Sequence, residues 1–216
     1  MRNRRKFLKS MAYAGAGGMM LGRIPVSLAQ ARREVTLDGY PLTVIDMHAH
    51  CEIKAVEQVV RGTPLEMQVS EARLLGPQYL ERMDERGIDI QVLHVGQYWW
   101  YDADRNLSRR ITRVMNEGMA EWVDRHPDRF VALAAVSMQH PELAAEELEH
   151  AVRELGFRGA SIGGHVEKSV PSATRFDVFW SKADELDVPV FMHPQNADFF
   201  VDPSAFEGKG NLANII

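Results

Sequence analysis

The chain has a single cysteine, Cys51, among its 216 residues, so no intramolecular disulfide can brace it. It has no excess of positive charge. Twenty-five Lys and Arg stand against 30 Asp and Glu, for a net charge of -5 and a pI near 5.9. No basic patch stands out beyond the N-terminus, which argues against a nucleic-acid partner. It has no long hydrophobic run. The apolar stretch from Met11 to Gly22 is glycine-rich and too short to span a bilayer as a stable helix. It also lacks a Gly-x-Gly-x-x-Gly turn after its first strand-like segment, so a dinucleotide site of that type loses ground. What remains is an ordinary globular composition, 45% hydrophobic and 25% charged, in a chain long enough for one well-buried core.

The N-terminus reads as a targeting segment. Met1-Arg2-Asn3-Arg4-Arg5-Lys6-Phe7-Leu8-Lys9 carries the paired arginines and following Phe-Leu of a twin-arginine signal. The apolar stretch follows, and Ala29-Gln30-Ala31 offers a small-x-small cleavage site. A merely basic, disordered tail would not show this succession. Residues 1–31 are therefore set apart as a signal peptide and residues 32–216 as one domain. The expected partner is the twin-arginine export machinery, and the expected location is periplasmic or secreted. That route carries proteins already folded, which suits a domain holding a cofactor.

From Arg32 onward strand-like and helix-like segments alternate. Strand candidates are Thr43–His50, Ile88–Val95, Phe130–Ser137, Gly159–Gly163 and Val188–His193. Between them, Gly76–Arg86, Leu107–Arg125, Pro141–Leu155 and Phe176–Leu186 place apolar residues at helical spacing. Nearly all-apolar strands alternating with amphipathic helices predict a parallel sheet covered by helices. A (β/α)8 barrel and an open doubly wound sheet both fit. Polar residues at the C-terminal ends of the first and fifth strands favour the barrel, whose enzymes keep their chemistry there. Only about five βα units are found. About 185 residues follow the signal, whereas a full barrel runs to roughly 250. The expectation is an incomplete (β/α)8 TIM barrel, with a compact open sheet as the alternative.

The densest chemistry lies at His48-Ala49-His50. Residues two apart on a strand share a face, so Asp46, His48 and His50 are expected to project together. Three polar side chains on an apolar strand are costly to bury unless something satisfies them, and a divalent metal does so. The fifth strand ends in His193, at the same rim of a parallel sheet. Three protein ligands with an open position is the pattern of a catalytic zinc, which acidifies its water and supplies a nucleophile.

These residues resemble a known family. Asp46-Met47-His48-Ala49-His50 and His193-Pro194 look like the amidohydrolase superfamily. The stretches Met83-Asp84-Glu85-Arg86-Gly87-Ile88-Asp89, His126-Pro127-Asp128-Arg129-Phe130, Met138-Gln139-His140-Pro141-Glu142-Leu143-Ala144 and Ile162-Gly163-Gly164-His165-Val166 are similar to its aminocarboxymuconate-semialdehyde decarboxylase-like branch. The resemblance implies that His48, His50 and His193 bind one divalent ion, zinc, with Asp46 behind them. It also implies that the catalytic base and a fourth ligand would lie beyond Ile216. No lysine ends the fourth strand at Ser161-Ile162-Gly163-Gly164, which favours one metal over two. The resemblance makes Arg73 the candidate for a substrate carboxylate, and it makes a homodimer an expectation.

The remaining residues divide by position. Trp99 and Trp100, in Gln97-Tyr98-Trp99-Trp100-Tyr101, read either as a lid over a flat substrate or as packing. His165 reads as a substrate contact or as bonded to its own loop. His94 is expected to pack at its strand end, and Cys51 to be buried. The leading function is a metal-dependent carboxy-lyase acting on an unsaturated or aromatic carboxylic acid through a metal-activated water. A hydrolase of an amide, ester or lactone needs the same ligands. A non-catalytic exported remnant or binding protein stands as the third reading.

Overall fold

A computed structural model describes residues 32–195 and residue 208. The predicted signal at 1–31 and the stretch 209–216 lie outside the described residues. The domain opens with a hairpin, β1 (Thr36–Leu37) against β2 (Tyr40–Pro41). Asp38 and Gly39 turn it, both at positive φ (52° and 83°), as a two-residue hairpin turn requires. Strand β3 (Ile45–His50) follows, then a short helix α1 (Val56–Val60) and α2 (Pro77–Arg86). Helix α2 starts on a proline and stops at Gly87, whose φ of 70° lets its N–H return to the carbonyls of Met83 and Asp84.

Next come β4 (Ile90–His94) and α3 (Arg105–Arg125), capped by the Asp104 carboxylate, which accepts from the N–H groups of Asn106 and Leu107 at 2.9 Å each. The expected third strand is two strands. Segment β5 (Phe130–Ala132) pairs with β4, and β6 (Ala134–Ala135) pairs with β7 (Ala160–Gly163). The handover falls at Leu133, whose N–H goes to Leu93, while the N–H of Ala134 goes to Gly159. Helix α4 (Pro141–Arg153) links β6 to β7, and α5 (Asp177–Glu185) links β7 to β8 (Val190–His193). Asn116 on α3 supports the break by giving and receiving a 2.9 Å bond with the backbone of Ala135.

The sheets run β3-β4-β5 and β6-β7-β8, all parallel and in chain order. A doubly wound sheet reverses its strand order at a switch point. This one does not reverse, so the architecture is a segment of a barrel wall. Leu93, Phe130 and Ile162 on the strands and Met83, Ile111, Met119 and Leu148 on the helices are fully buried between the two layers. Cys51 is buried as expected, and burial pushes its thiol up to about 12, which makes it inert. Among the described residues no helix is long and apolar enough to cross a membrane.

Candidate metal centre

Parallel strands put their C-terminal ends at one rim, so β3, β4 and β8 deliver His50, His94 and His193 to the same place. His50 pairs in register with His94, and His193 with Gly163. His48 arrives by an irregularity. The β3–β4 register slips by one residue between Asp46 and Ala49, a bulge of the kind that re-aims a side chain. Asp46 holds that bulge. One carboxylate oxygen accepts the backbone N–H of His48 at 3.0 Å, and the other accepts the Gln91 side-chain amide at 3.0 Å. Asp46 therefore positions His48 through the backbone and not through its ring.

The three predicted imidazoles converge. Nε2 of His50 lies 2.9 Å from Nε2 of His48 and 2.8 Å from Nε2 of His193. The ring centroids are 4.8 to 4.9 Å apart in all three pairs. Nδ1–H of His193 donates to the carbonyl of Pro194, which leaves its Nε2 as a bare lone pair. Burial first, and then neighbouring His193 and His48, push the His50 imidazole down to about 4. His193 is also lowered, chiefly by burial. Imidazole nitrogens this close share either a hydrogen-bond proton or a cation, and only a cation can serve all three at once. Nitrogens about 2.0–2.1 Å from one ion stand roughly 3 Å apart. The donor set and its spacing thus fit a divalent metal.

Gly96, just past β4, makes the convergence possible. A Cβ built there would fall inside contact distance of three atoms of the His50 ring. On the far side of His50, the Tyr79 hydroxyl bridges the carbonyls of His50 (2.5 Å) and Arg73 (2.9 Å), tying α2 to the ligand strand.

A narrow cleft opens beside His50. Ile53, Val56, Met67, Val69 and Met115 give it apolar walls, and Trp99, Glu52 and Arg73 also line it. Glu52 sits 3.5 Å from the Arg73 guanidinium and fixes its direction. Arg73 and Trp99 therefore line the same cleft as His50. Trp100 does not. It is fully buried, with its indole N–H donating to the carbonyl of Val136, so it packs the core and forms no lid. His165 bonds its own loop, Nδ1–H to the Glu167 carbonyl at 2.8 Å, and it does not line the cleft. The sequence did not single out Glu52 or Gly96, and it left His94 outside the ligand set. His94 is fully buried at its strand end, as expected, and a ring nitrogen of His94 lies within 4.8 Å of those of His48 and His50. The available signal was that His94, like His50 and His193, is a polar residue ending an apolar strand.

The family model for amidohydrolases matches residues 45–208. The chain is 39% identical over 121 residues to the gamma-resorcylate decarboxylase of Polaromonas sp. (strain JS666 / ATCC BAA-500), covering 53% of this chain and 37% of that protein. It is 30% identical over 117 residues to the 2-amino-3-carboxymuconate-6-semialdehyde decarboxylase of Dictyostelium discoideum, covering 53% of this chain and 32% of that one. Among solved structures, the dihydroxybenzoic acid decarboxylase of Polaromonas sp. JS666, with bound manganese and the inhibitor 2-nitroresorcinol, superposes with a TM-score of 0.60 at 28% identity. That match covers 79% of this chain and 54% of the other. The chain thus spans between a third and about half the length of these relatives.

Proposed function

The chain belongs to the amidohydrolase family, in its decarboxylase branch, and from that premise we propose that the protein is a metal-dependent carboxy-lyase that releases carbon dioxide from an aromatic or unsaturated carboxylic acid. The observation that carries this reading is the convergence of three imidazoles beside an apolar cleft lined by an arginine. His48, His50 and His193 would hold the ion. A divalent metal there supplies Lewis acidity toward substrate oxygens.

The chain's own residues do the rest. Arg73, steered by Glu52, offers paired N–H donors to a carboxylate. Trp99 and the aliphatic wall accept a flat ring and exclude water. Removing water weakens solvation of the carboxylate, whose charge passes to the carbon it leaves as carbon dioxide departs and a proton takes its place. The ion is proposed to be zinc on the strength of the imidazole shell. Manganese, which the related Polaromonas enzyme binds, is the competing occupant. Homodimerisation is proposed on the family resemblance alone.

The test is an assay of the full-length protein, loaded in turn with zinc and manganese, against hydroxybenzoic and muconate-type acids. Metal-dependent carbon dioxide release that is abolished in His193→Ala supports the lyase. Metal-dependent cleavage of an ester, amide or lactone without carbon dioxide would replace it with the hydrolase. For export, the mass of the secreted product is expected to match a chain beginning at Arg32. An intact N-terminus on protein recovered from the periplasm would contradict the proposed cleavage.

A further inference from the structure

His94 is fully buried at the floor of the cluster. Its ring centroid lies 5.3 Å from that of His48, 5.2 Å from that of His50 and 5.7 Å from that of His193. Its in-register pairing with His50 puts the two side chains next to each other on neighbouring strands. The tautomer follows from its partners. Nδ1 lies 3.3 Å from the carbonyl of Val95, which can only accept, so that bond requires the proton on Nδ1. His193 is anchored the same way, to the carbonyl of the residue after it.

A buried relay reinforces this anchor. The Tyr98 hydroxyl is 2.6 Å from Ser161 Oγ, which is 3.4 Å from Nδ1 of His94. Nε2 of His94 is then a lone pair. It is buried, and it has no hydrogen-bond partner among the described residues. An unsatisfied buried acceptor costs about 1–3 kcal/mol. A ring fixed in the ligand tautomer, beside three others, has a cation as its natural partner.

We propose that His94 is a fourth imidazole ligand of this metal centre, held by the Val95 carbonyl and the Tyr98–Ser161 pair. The inference rests on the metal site proposed above and adds to it a nitrogen from β4. It gives Tyr98 and Ser161 a positioning role, since they reach the metal only through His94.

The experiment is a long-range proton–nitrogen correlation spectrum of the full-length protein, ¹⁵N-labelled at histidine, with and without zinc. Four rings are expected in the Nδ1–H form with an Nε2 resonance that moves on loading. One of these is assigned to His94 by its disappearance in His94→Asn. In chelator competition, His94→Asn should lose about 10- to 100-fold in zinc affinity. An unmoved His94 resonance beside three that shift would overturn this proposal and leave the three-histidine site standing. If no histidine resonance moves, the site itself falls. The wild-type spectrum decides even where the variant folds poorly, because His94 is then assigned through its own backbone.

Discussion

Replacing Gly96 with alanine should empty the metal centre while sparing the fold. The added methyl would stand where the His50 ring now lies, inside contact distance of its Nε2, Cε1 and Cδ2. Gly96 is not in the left-handed region, so alanine brings no backbone strain and the whole effect is steric. Restoring ordinary contact requires the ring to retreat by about 1 Å. Metal–ligand distances tolerate about 0.2 Å, so a displacement roughly five times larger removes His50 from the ligand set. Even outer residues of a metal site are worth about 10- to 100-fold in affinity. Loss of a direct ligand should therefore cost at least about 100-fold, or roughly 2.7 kcal/mol.

Overpacking should cost the metal-free fold only about 1–3 kcal/mol. The assay is chelator competition for zinc and manganese, with thermal melting of the metal-free protein alongside. Gly164→Ala is the control, because a Cβ there meets the His193 carbonyl at 3.4 Å, an ordinary contact. It should bind metal like the wild type. If Gly96→Ala also binds with wild-type affinity while His50→Ala does not, the packing argument is wrong.

Three further outcomes follow from other parts of the structure. Asn116→Ala strands both the N–H and the carbonyl of Ala135, which should cost about 2–4 kcal/mol in urea unfolding; a loss below about 0.5 kcal/mol would show that Asn116 does not support the β5–β6 break. Glu147 accepts from Ser137 N–H at 2.7 Å, yet burial raises its carboxyl from 4.5 to about 7. Its folded form thus holds a proton that the unfolded chain releases, so a contribution of up to about 3 kcal/mol is full below pH 4.5 and lost as pH rises through 7. Glu147→Gln should flatten that slope, and an unchanged stability–pH curve would reject the assignment. Arg73→Ala should raise KM with a smaller change in kcat, lowering kcat/KM by roughly 10- to 100-fold, since a charge-assisted hydrogen bond is worth about 1.5–3 kcal/mol; an unchanged KM would remove Arg73 from substrate binding.

Much of the frame was legible because apolar strands announce themselves. His50 and His193 stood out as polar residues ending such runs, and the helices between them carried clear periodicity. Other features depend on pairing and leave no local trace. The register slip between Asp46 and Ala49 cannot be read from Ile45–His50 alone. The break at Leu133 lies inside an unbroken apolar run, since both flanking strands are buried and only their partners change. His94 looked like packing because its nearness to His50 exists only once β3 and β4 are paired. Trp99 and Trp100 stayed open between lid and packing for the opposite reason. An aromatic cluster after a strand suggests an exposed loop, but the 3-10 turn Trp99–Asp102 swings Trp100 into the core and leaves Trp99 at the cleft. The β1–β2 hairpin was missed because two-residue strands have no periodicity, although Asp38-Gly39 was a turn signal.

The most direct test is anomalous diffraction from crystals of the full-length protein soaked in manganese or zinc. A single strong peak is expected within bonding distance of Nε2 of His48, His50 and His193. A peak elsewhere, or those three rings turned apart around an empty rim at saturating metal, would contradict the account.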